Sequence, residues 1–532
     1  MAIVVRLAYL QIYKGSLYEA MSLGQQSSDE TSTIKRGEIF LKNGEICLAQ
    51  TKSKTNLCFS SKKISPFELE KEADFLAGFW GGTEEELLAD IQNGGLIKKE
   101  IPDSELDDLK KYLKEKNLAG VWLEETSTRF YPQGSFTSQL LGFVNNEGQG
   151  QYGLESYYND VLNGQDQQRT AEGEVIEQGA NIYLTIDYNI QYLAEKLLKE
   201  ANEKWAIDSG QIVVSEPATG KIIALANFPS FDCNNYGQES DLGVFVDSVT
   251  EKLFEPGSVF KPFTMAAGLE EQLVTPETKY TDNGFVNVGG KDIYNFDKRV
   301  WGEQMMIDVL EESINTGAVF VEQKIGSELF WRYIKNFGFL EKTDVDLPGE
   351  IFSVNKTLKN GKERGYASAS FGQGIEITAI QLIRSFGALA NNGKMMRPYV
   401  VEKIVKSNGQ TIVTQPKFEK QVISEQTAAK LTAMLISVVK NGSGRLAGVS
   451  GYYIAGKTGT AQVAVKGGYS DDKTIHSFIG YFPALNPKYL ILVKLDNPKG
   501  ITSSGHSATP IFQSLAKYII DVQQIPPSPD AP

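Results

Sequence analysis

Ser258 and Lys261 stand three residues apart in the run Glu255-Pro256-Gly257-Ser258-Val259-Phe260-Lys261-Pro262. Pro256 and Gly257 are turn residues, and the apolar run from Phe263 to Leu269 reads as a continuing helix. A spacing of three on a helix places two side chains on one face, one turn apart. A lysine made neutral by burial and by nearby cations can take the proton of such a serine and create a nucleophile. The same spacing also fits a capped helix with a surface lysine. Ser313-Ile314-Asn315 offers a hydroxyl and an amide two residues apart, or simply a helix boundary with polar caps. Lys457-Thr458-Gly459-Thr460 follows the apolar Tyr452-Tyr453-Ile454-Ala455 and reads as a strand. Gly459 there would let a substrate backbone approach closely, and Lys457 with the hydroxyls of Thr458 and Thr460 could hold a carboxylate. A strand end with turn residues is the plainer alternative.

Elements able to position these residues are legible around them. Residues 181–185 read as a strand, and Asp187 as the N-cap of a helix with Ile190, Leu193, Leu197 and Leu198 on one face. Residues 211–214 and 222–226 are β-rich runs around Pro217-Ala218-Thr219-Gly220, and residues 479–482 and 489–493 flank a turn at Asn486-Pro487. Hairpins at both ends with helical segments between them imply an α+β fold, an antiparallel sheet covered by helices. The preceding part is extended and mixed α/β, with a turn at Lys42-Asn43-Gly44, helical patterns over 66–115 and a polar, glycine-rich linker over 164–180. The expected division is 1–18, 19–175, 176–524 and a proline-rich disordered tail, 525–532.

At 532 residues the chain exceeds one ordinary core. Hydrophobic residues at 41% and charged residues at 22% mark it as globular. A net charge of −13 argues against nucleic acid as a partner. With 2 histidines and 3 cysteines, none at metal-ligand spacing, no zinc site is expected, and a Ser-His-Asp triad is disfavoured. No apolar run approaches the ~18 residues of a membrane span. The stub Ala2-Ile3-Val4-Val5 before Arg6 reads either as an ordinary first helix or as the end of a transmembrane one.

Ser-x-x-Lys, Ser-x-Asn and Lys-Thr-Gly in that order resemble the penicilloyl-serine transferases. Flanking runs narrow the likeness. Arg36-Gly37-Glu38-Ile39, Tyr131-Pro132, Leu140-Leu141-Gly142-Phe143-Val144 and Tyr152-Gly153-Leu154-Glu155 resemble the pedestal of class B penicillin-binding proteins. Thr185-Ile186-Asp187, Ser370-Phe371-Gly372-Gln373-Gly374 and Gly480-Tyr481-Phe482-Pro483 resemble their catalytic half, and the Phe-Gly-Gln-Gly run is closer to division-type members than to elongation-type ones.

The resemblance implies a penicilloyl-serine transferase domain behind a non-catalytic pedestal. It implies a peptidoglycan D,D-transpeptidase with Ser258 as nucleophile, Lys261 as base, Ser313 as proton relay, Asn315 on the donor amide and Lys457 keeping the network charged. Thr458 and Thr460 would bind the terminal carboxylate, with Gly459 beside them as a further substrate-binding residue. It also implies stem peptides as substrates, β-lactams as inhibitors, a membrane glycan polymerase and division proteins as partners, no cofactor, and a catalytic domain outside the cytoplasmic membrane. A carboxypeptidase or β-lactamase, an inert β-lactam sensor and a structural cell-wall scaffold are the rival readings. One covalent expectation concerns the pedestal: a turn at Thr51 to Lys54 would set Cys47 opposite Cys58, within disulfide reach, unless both are simply buried thiols. Cys233 would stay unbridged.

Overall fold

The computed structural model describes residues 35–60, 66–92, 96–116, 121–164, 178–465 and 468–531. The expectations for 1–18 and for most of the 164–180 linker fall outside them. Two compact units result, one built around residues 49–130 and the other around 181–532, which also takes up 39–48 and 131–159.

In the first unit the long strand Cys47–Ser60 lies between Leu96–Ile101 and Val121–Phe130, antiparallel to both. Helices Pro66–Trp80, Glu84–Gln92 and Asp103–Lys116 accompany it, and Leu57, Leu76, Leu87, Ile101, Leu109 and Val121 make its core. The helical pattern over 66–115 is thus present, with one strand inside it. Asp103 and Glu105 sit in the first turn of the last helix and Lys114 and Lys116 in its last, matching the helix dipole.

The hairpin expected at Thr51 to Lys54 is absent. The strand runs straight through, with Ser53 opposite Ser127 and Lys54 opposite Thr126. A strand with polar residues on successive positions gives no period-two signal and reads as a turn. At ~3.3 Å per residue, Cys47 and Cys58 stand roughly 36 Å apart along one strand, so the expected disulfide between them does not form.

The second unit is organised by a five-stranded antiparallel sheet. Its strands are β1 (Ser209–Ser215), β2 (Ile222–Phe228), β3 (Ala455–Val465), β4 (Gly468–Phe482) and β5 (Tyr489–Asp496), in the order β3-β4-β5-β1-β2. Six helices matter here: α1 (Tyr188–Trp205), α2 (Lys261–Glu270), α3 (Asn315–Ile325), α4 (Ala379–Ala390), α5 (Glu425–Lys440) and α6 (Ala508–Val522). Asp187 caps α1 by accepting from Asn189 N and Ile190 N, as its position suggests.

Strand alternation sends side chains to both faces of this sheet. Phe478 and Phe482 pack on Phe512 of α6, with ring centroids 4.6 and 6.2 Å away. Tyr481 between them turns to the opposite face, where its ring meets Phe386 of α4 at 6.2 Å and its hydroxyl pairs with Thr432 of α5 at 2.8 Å. Two covered faces explain why β1, β2 and β5 read as continuous apolar runs. The tail expected to be disordered is held over 525–531: Ile525 is buried, Ser528 N donates to Gly451 O at 2.9 Å, and Tyr453 Oη donates to Asp530 O at 2.6 Å. Its prolines preclude regular structure but leave these carbonyls and hydroxyls to bond.

Candidate active site

Ser258 lies in the 3₁₀ turn Gly257–Phe260, which runs directly into α2, so the helix begins at Lys261. The turn is fixed from two sides. Gly257 has φ 60° and its N–H donates to Gly372 O at 2.9 Å. A side chain on Gly372 would stand 2.1 Å from Gly257 O, so only glycine permits the Phe371-Gly372 loop to pass here. Thr264 Oγ1 of α2 donates to Ser370 O at 2.7 Å, binding the same loop to the helix. On the other side runs β3, where a Cβ on Gly459 would meet Val259 Cγ1 at 2.9 Å and Ser477 Oγ at 2.4 Å. Gly459 therefore fits β3 against the serine turn, a packing role beside the substrate role expected of it.

Lys261 is 1% exposed. Its Nζ donates to Ser313 O and, at 3.2 Å, to Ser313 Oγ. Among the described residues no hydrogen bond joins it to Ser258 Oγ, although both belong to one helical turn; catalytic hydrogen bonds often tighten only on binding substrate. Burial pushes the Lys261 ammonium well below the usual lysine range, and the neighbouring Lys457 charge pushes it further. Ser313 sits in the connection before α3 with φ 59°, a left-handed conformation braced by Ile314 N donating to Val309 O at 2.9 Å. Asn315 opens α3 and turns its amide outward, Nδ2 donating to the Tyr294 carbonyl at 3.0 Å.

Lys457, 0% exposed, donates from Nζ to Thr458 O and Thr458 Oγ1, both at 3.2 Å. Burial lowers its pKa to about 7, with Glu312 pulling in the opposite direction. Thr458 Oγ1 pairs with Ser443 Oγ at 3.0 Å, and Thr460 Oγ1 with Ser504 Oγ at 3.1 Å. The serine turn, the Ser313 connection and β3 therefore meet, bringing Lys261 to Ser313 and Lys457 and setting Gly459 against Val259, while Asn315 turns its amide to Tyr294. Ser443, Ser504 and Glu312 join this site unforeseen. The two serines carry no periodic or spacing signal, because loops distant in sequence bring them to β3. His476 does not enter as a base: it is buried opposite Thr460 on β4, bonded to Ser507 Oγ at 2.8 Å, and burial lowers its pKa to about 4.

A helix-covered antiparallel sheet with serine and lysine on one turn, and a second buried lysine beside them, defines a serine acyltransferase. A family model described as the penicillin binding protein transpeptidase domain matches residues 210–517, and one for the penicillin-binding protein dimerisation domain matches residues 31–182. The chain belongs to the penicillin-binding protein transpeptidases, and the two domains in this order make it class B. It is 33% identical over 534 residues to stage V sporulation protein D of Bacillus subtilis, covering 96% of this chain and 82% of that one. It is 29% identical over 567 residues to a peptidoglycan D,D-transpeptidase FtsI homolog of Mesostigma viride, covering 98% and 94%. Penicillin-binding protein 3 of Mycobacterium tuberculosis, solved in complex with aztreonam, superposes with a TM-score of 0.73 at 25% identity, over 94% of this chain and 98% of that one.

Proposed function

We propose that this transpeptidase cross-links peptidoglycan through an acyl-enzyme on Ser258. Ser258 Oγ attacks the carbonyl between two D-alanines of a stem peptide while Lys261, neutral, accepts its proton. That proton passes by way of Ser313 to the departing D-alanine, and Lys457 in its charged form holds Lys261 neutral. Backbone N–H groups of Ser258 and Thr460 receive the oxyanion, each contributing roughly 3 kcal/mol in comparable enzymes. Thr458 and Thr460 bind the terminal carboxylate beside Gly459, and Asn315 holds the donor amide. The amine of a neighbouring stem peptide then attacks the ester, releasing Ser258 and forming the cross-link. The chemistry calls for no metal or organic cofactor.

The observation that carries this reading is the burial of Lys261 and Lys457 together, with Lys261 bonded to Ser313. Two ammonium groups placed side by side out of water cannot both stay charged, and the one that yields is a base. Intact-protein mass spectrometry after incubation with a labelled penicillin tests it: one adduct mapping to Ser258 supports the assignment, and an adduct on Ser313 or none contradicts it.

The wider setting belongs to the same proposal. The domain bounds are taken as 19–175 for the pedestal and 176–524 for catalysis. The catalytic unit faces the outer side of the cytoplasmic membrane, where its polymer lies, and works with a membrane glycan polymerase and division proteins. The likeness to stage V sporulation protein D favours a second setting, synthesis during sporulation. Deleting the gene separates the two, since filamentous growth marks the first and failed spores in normally dividing cells mark the second.

A further inference from the structure

Beside Asn315 the chain builds a short, strained loop whose form the reaction at Ser258 does not explain. Strands Phe285–Val288 and Lys291–Tyr294 form a hairpin in which Phe285 pairs with Tyr294, their ring centroids 5.9 Å apart. The loop after it holds two consecutive non-glycine residues in the left-handed region, Asp297 at φ 54° and Lys298 at φ 52°. Such conformations cost of order 1–3 kcal/mol each and persist only where surrounding contacts over-determine them. Here a buried carboxylate pins the two ends of the loop, at Asn295 and Trp301, and Asn295 bonds within it to Lys298 N and Arg299 O. Asp282 accepts from Gly284 N at 3.0 Å, from Asn295 Nδ2 at 3.0 and 2.9 Å, from Trp301 N at 2.8 Å and from Thr316 Oγ1 at 2.7 Å. Asn295 Oδ1 in turn accepts from Thr316 N at 3.1 Å, which ties the loop to the first turn of α3.

What this framework displays is apolar. Phe296 is 62% exposed and Val300 64%, with Tyr294 and Phe285 also open to solvent. Val300 lies over Gly284, next to Phe285. Lys298 Nζ stands 5.4 Å from the Tyr294 ring and Arg299 5.0 Å from the Trp301 ring, so cations edge the patch. A rigid anchor that holds aromatic faces out in water indicates a ligand rather than a core. Four side chains fall well short of the 20–30 residues per side of a stable protein interface. The patch adjoins Asn315, whose amide already bonds the Tyr294 carbonyl.

We infer that this loop is a glycan platform, on which sugar rings of the peptidoglycan strand stack against Phe296 and Tyr294 while the stem peptide extends toward Ser258. The inference rests on the transpeptidase reading above and deepens it. The substrate is a peptide tethered to sugar, so a polymer engaged at Asn315 brings its sugars to neighbouring surface. Pyranose rings offer flat C–H faces that suit exposed aromatic rings, and Lys298 and Arg299 suit carboxylates hanging from the strand.

Saturation-transfer NMR on the full chain carrying Ser258→Ala, which prevents turnover, tests this with a disaccharide-pentapeptide and with the same pentapeptide lacking sugar. Sugar protons take up saturation in that protein. Phe296→Ala added to it weakens disaccharide-pentapeptide binding about tenfold relative to the free peptide, and Phe296→Trp restores it. Sugar signals that are absent, or that are equal in the Phe296→Ala protein, overturn the platform. A parent chain that takes penicillin on Ser258 yet saturates no sugar proton loses the platform alone. A chain that takes no penicillin loses the functional reading itself.

Discussion

The two units of this chain treat their lysines in opposite ways. On the pedestal sheet half-exposed Lys54 reaches Glu100 at 2.7 Å, and exposed Lys52 lies over the Phe130 ring at 3.4 Å. In the catalytic unit Lys261 and Lys457 are out of water, and among the described residues neither belongs to an ion pair. Lys494 shows that burial alone is not the distinction, because it too is buried but is bonded to Asp496 at 2.6 and 2.8 Å. A cation removed from water without a direct ion-pair partner is costly, and the group that gives up its proton becomes a base.

The largest effect that sharpens this contrast is on Lys261. Guanidinium does not deprotonate in proteins, so Lys261→Arg keeps a cation and loses the base. Penicillin acylation should fall by at least about 100-fold, whereas Lys54→Arg on the pedestal leaves stability within roughly 0.5 kcal/mol. Stopped-flow acylation rates and urea midpoints check both arms. Near-parental acylation by Lys261→Arg would break the contrast.

The next effect compares glycines. Gly372→Ala puts a Cβ against Gly257 backbone at a φ of +83°, and should cost roughly 2 kcal/mol or more while slowing acylation. Gly82→Ala on the pedestal meets only the flexible end of Glu86 and should change stability little. Thermal unfolding of the two variants gives the order, and equal losses would show that the serine turn is no more tightly braced than a surface loop.

Charge coupling predicts smaller shifts. The Lys457 charge holds Lys261 down, so Lys457→Met should move the rise of acylation rate toward higher pH, whatever it does to the maximum. Lys457 itself has a folded pKa of about 7 against an ordinary 10.5, so the unfolded chain binds more protons between those values and stability should rise with pH across that window. Below about pH 7 the folded lysine is charged as well and the burial penalty is complete. Urea midpoints from pH 7 to 9.5 should therefore climb less steeply in Lys457→Met than in the parent, and parallel slopes would contradict the assignment.

The smallest effect concerns thiols. Cys47 and Cys58 share one uninterrupted strand, so thiol titration of the unfolded, unreduced chain should find 3 reactive groups rather than 1.

These contrasts also mark what could be read from residues alone. Ser258 and Lys261 were legible because one helical turn is a local fact, and β1, β2 and β5 because both faces of the sheet are covered. The link from Gly372 to Gly257 was not, since a glycine conserves no sign of the backbone that will pass it; nor were Ser443 and Ser504, which reach Thr458 and Thr460 only through the folded chain. The Thr51 to Lys54 run misled because its backbone pairs with Val121–Phe130 whatever its side chains are, and four polar residues in succession carry no alternation. Asp282 has no motif around it in the sequence, and its hydrogen bonds come from residues as far along the chain as α3.

Peptide mapping of the adduct formed by a labelled penicillin tests the role of the buried lysine pair most directly. Parent protein should carry a single label on Ser258, and Lys261→Arg should carry almost none in the same time. A label elsewhere, or one that forms on Ser258 equally fast without the Lys261 amine, would contradict the mechanism.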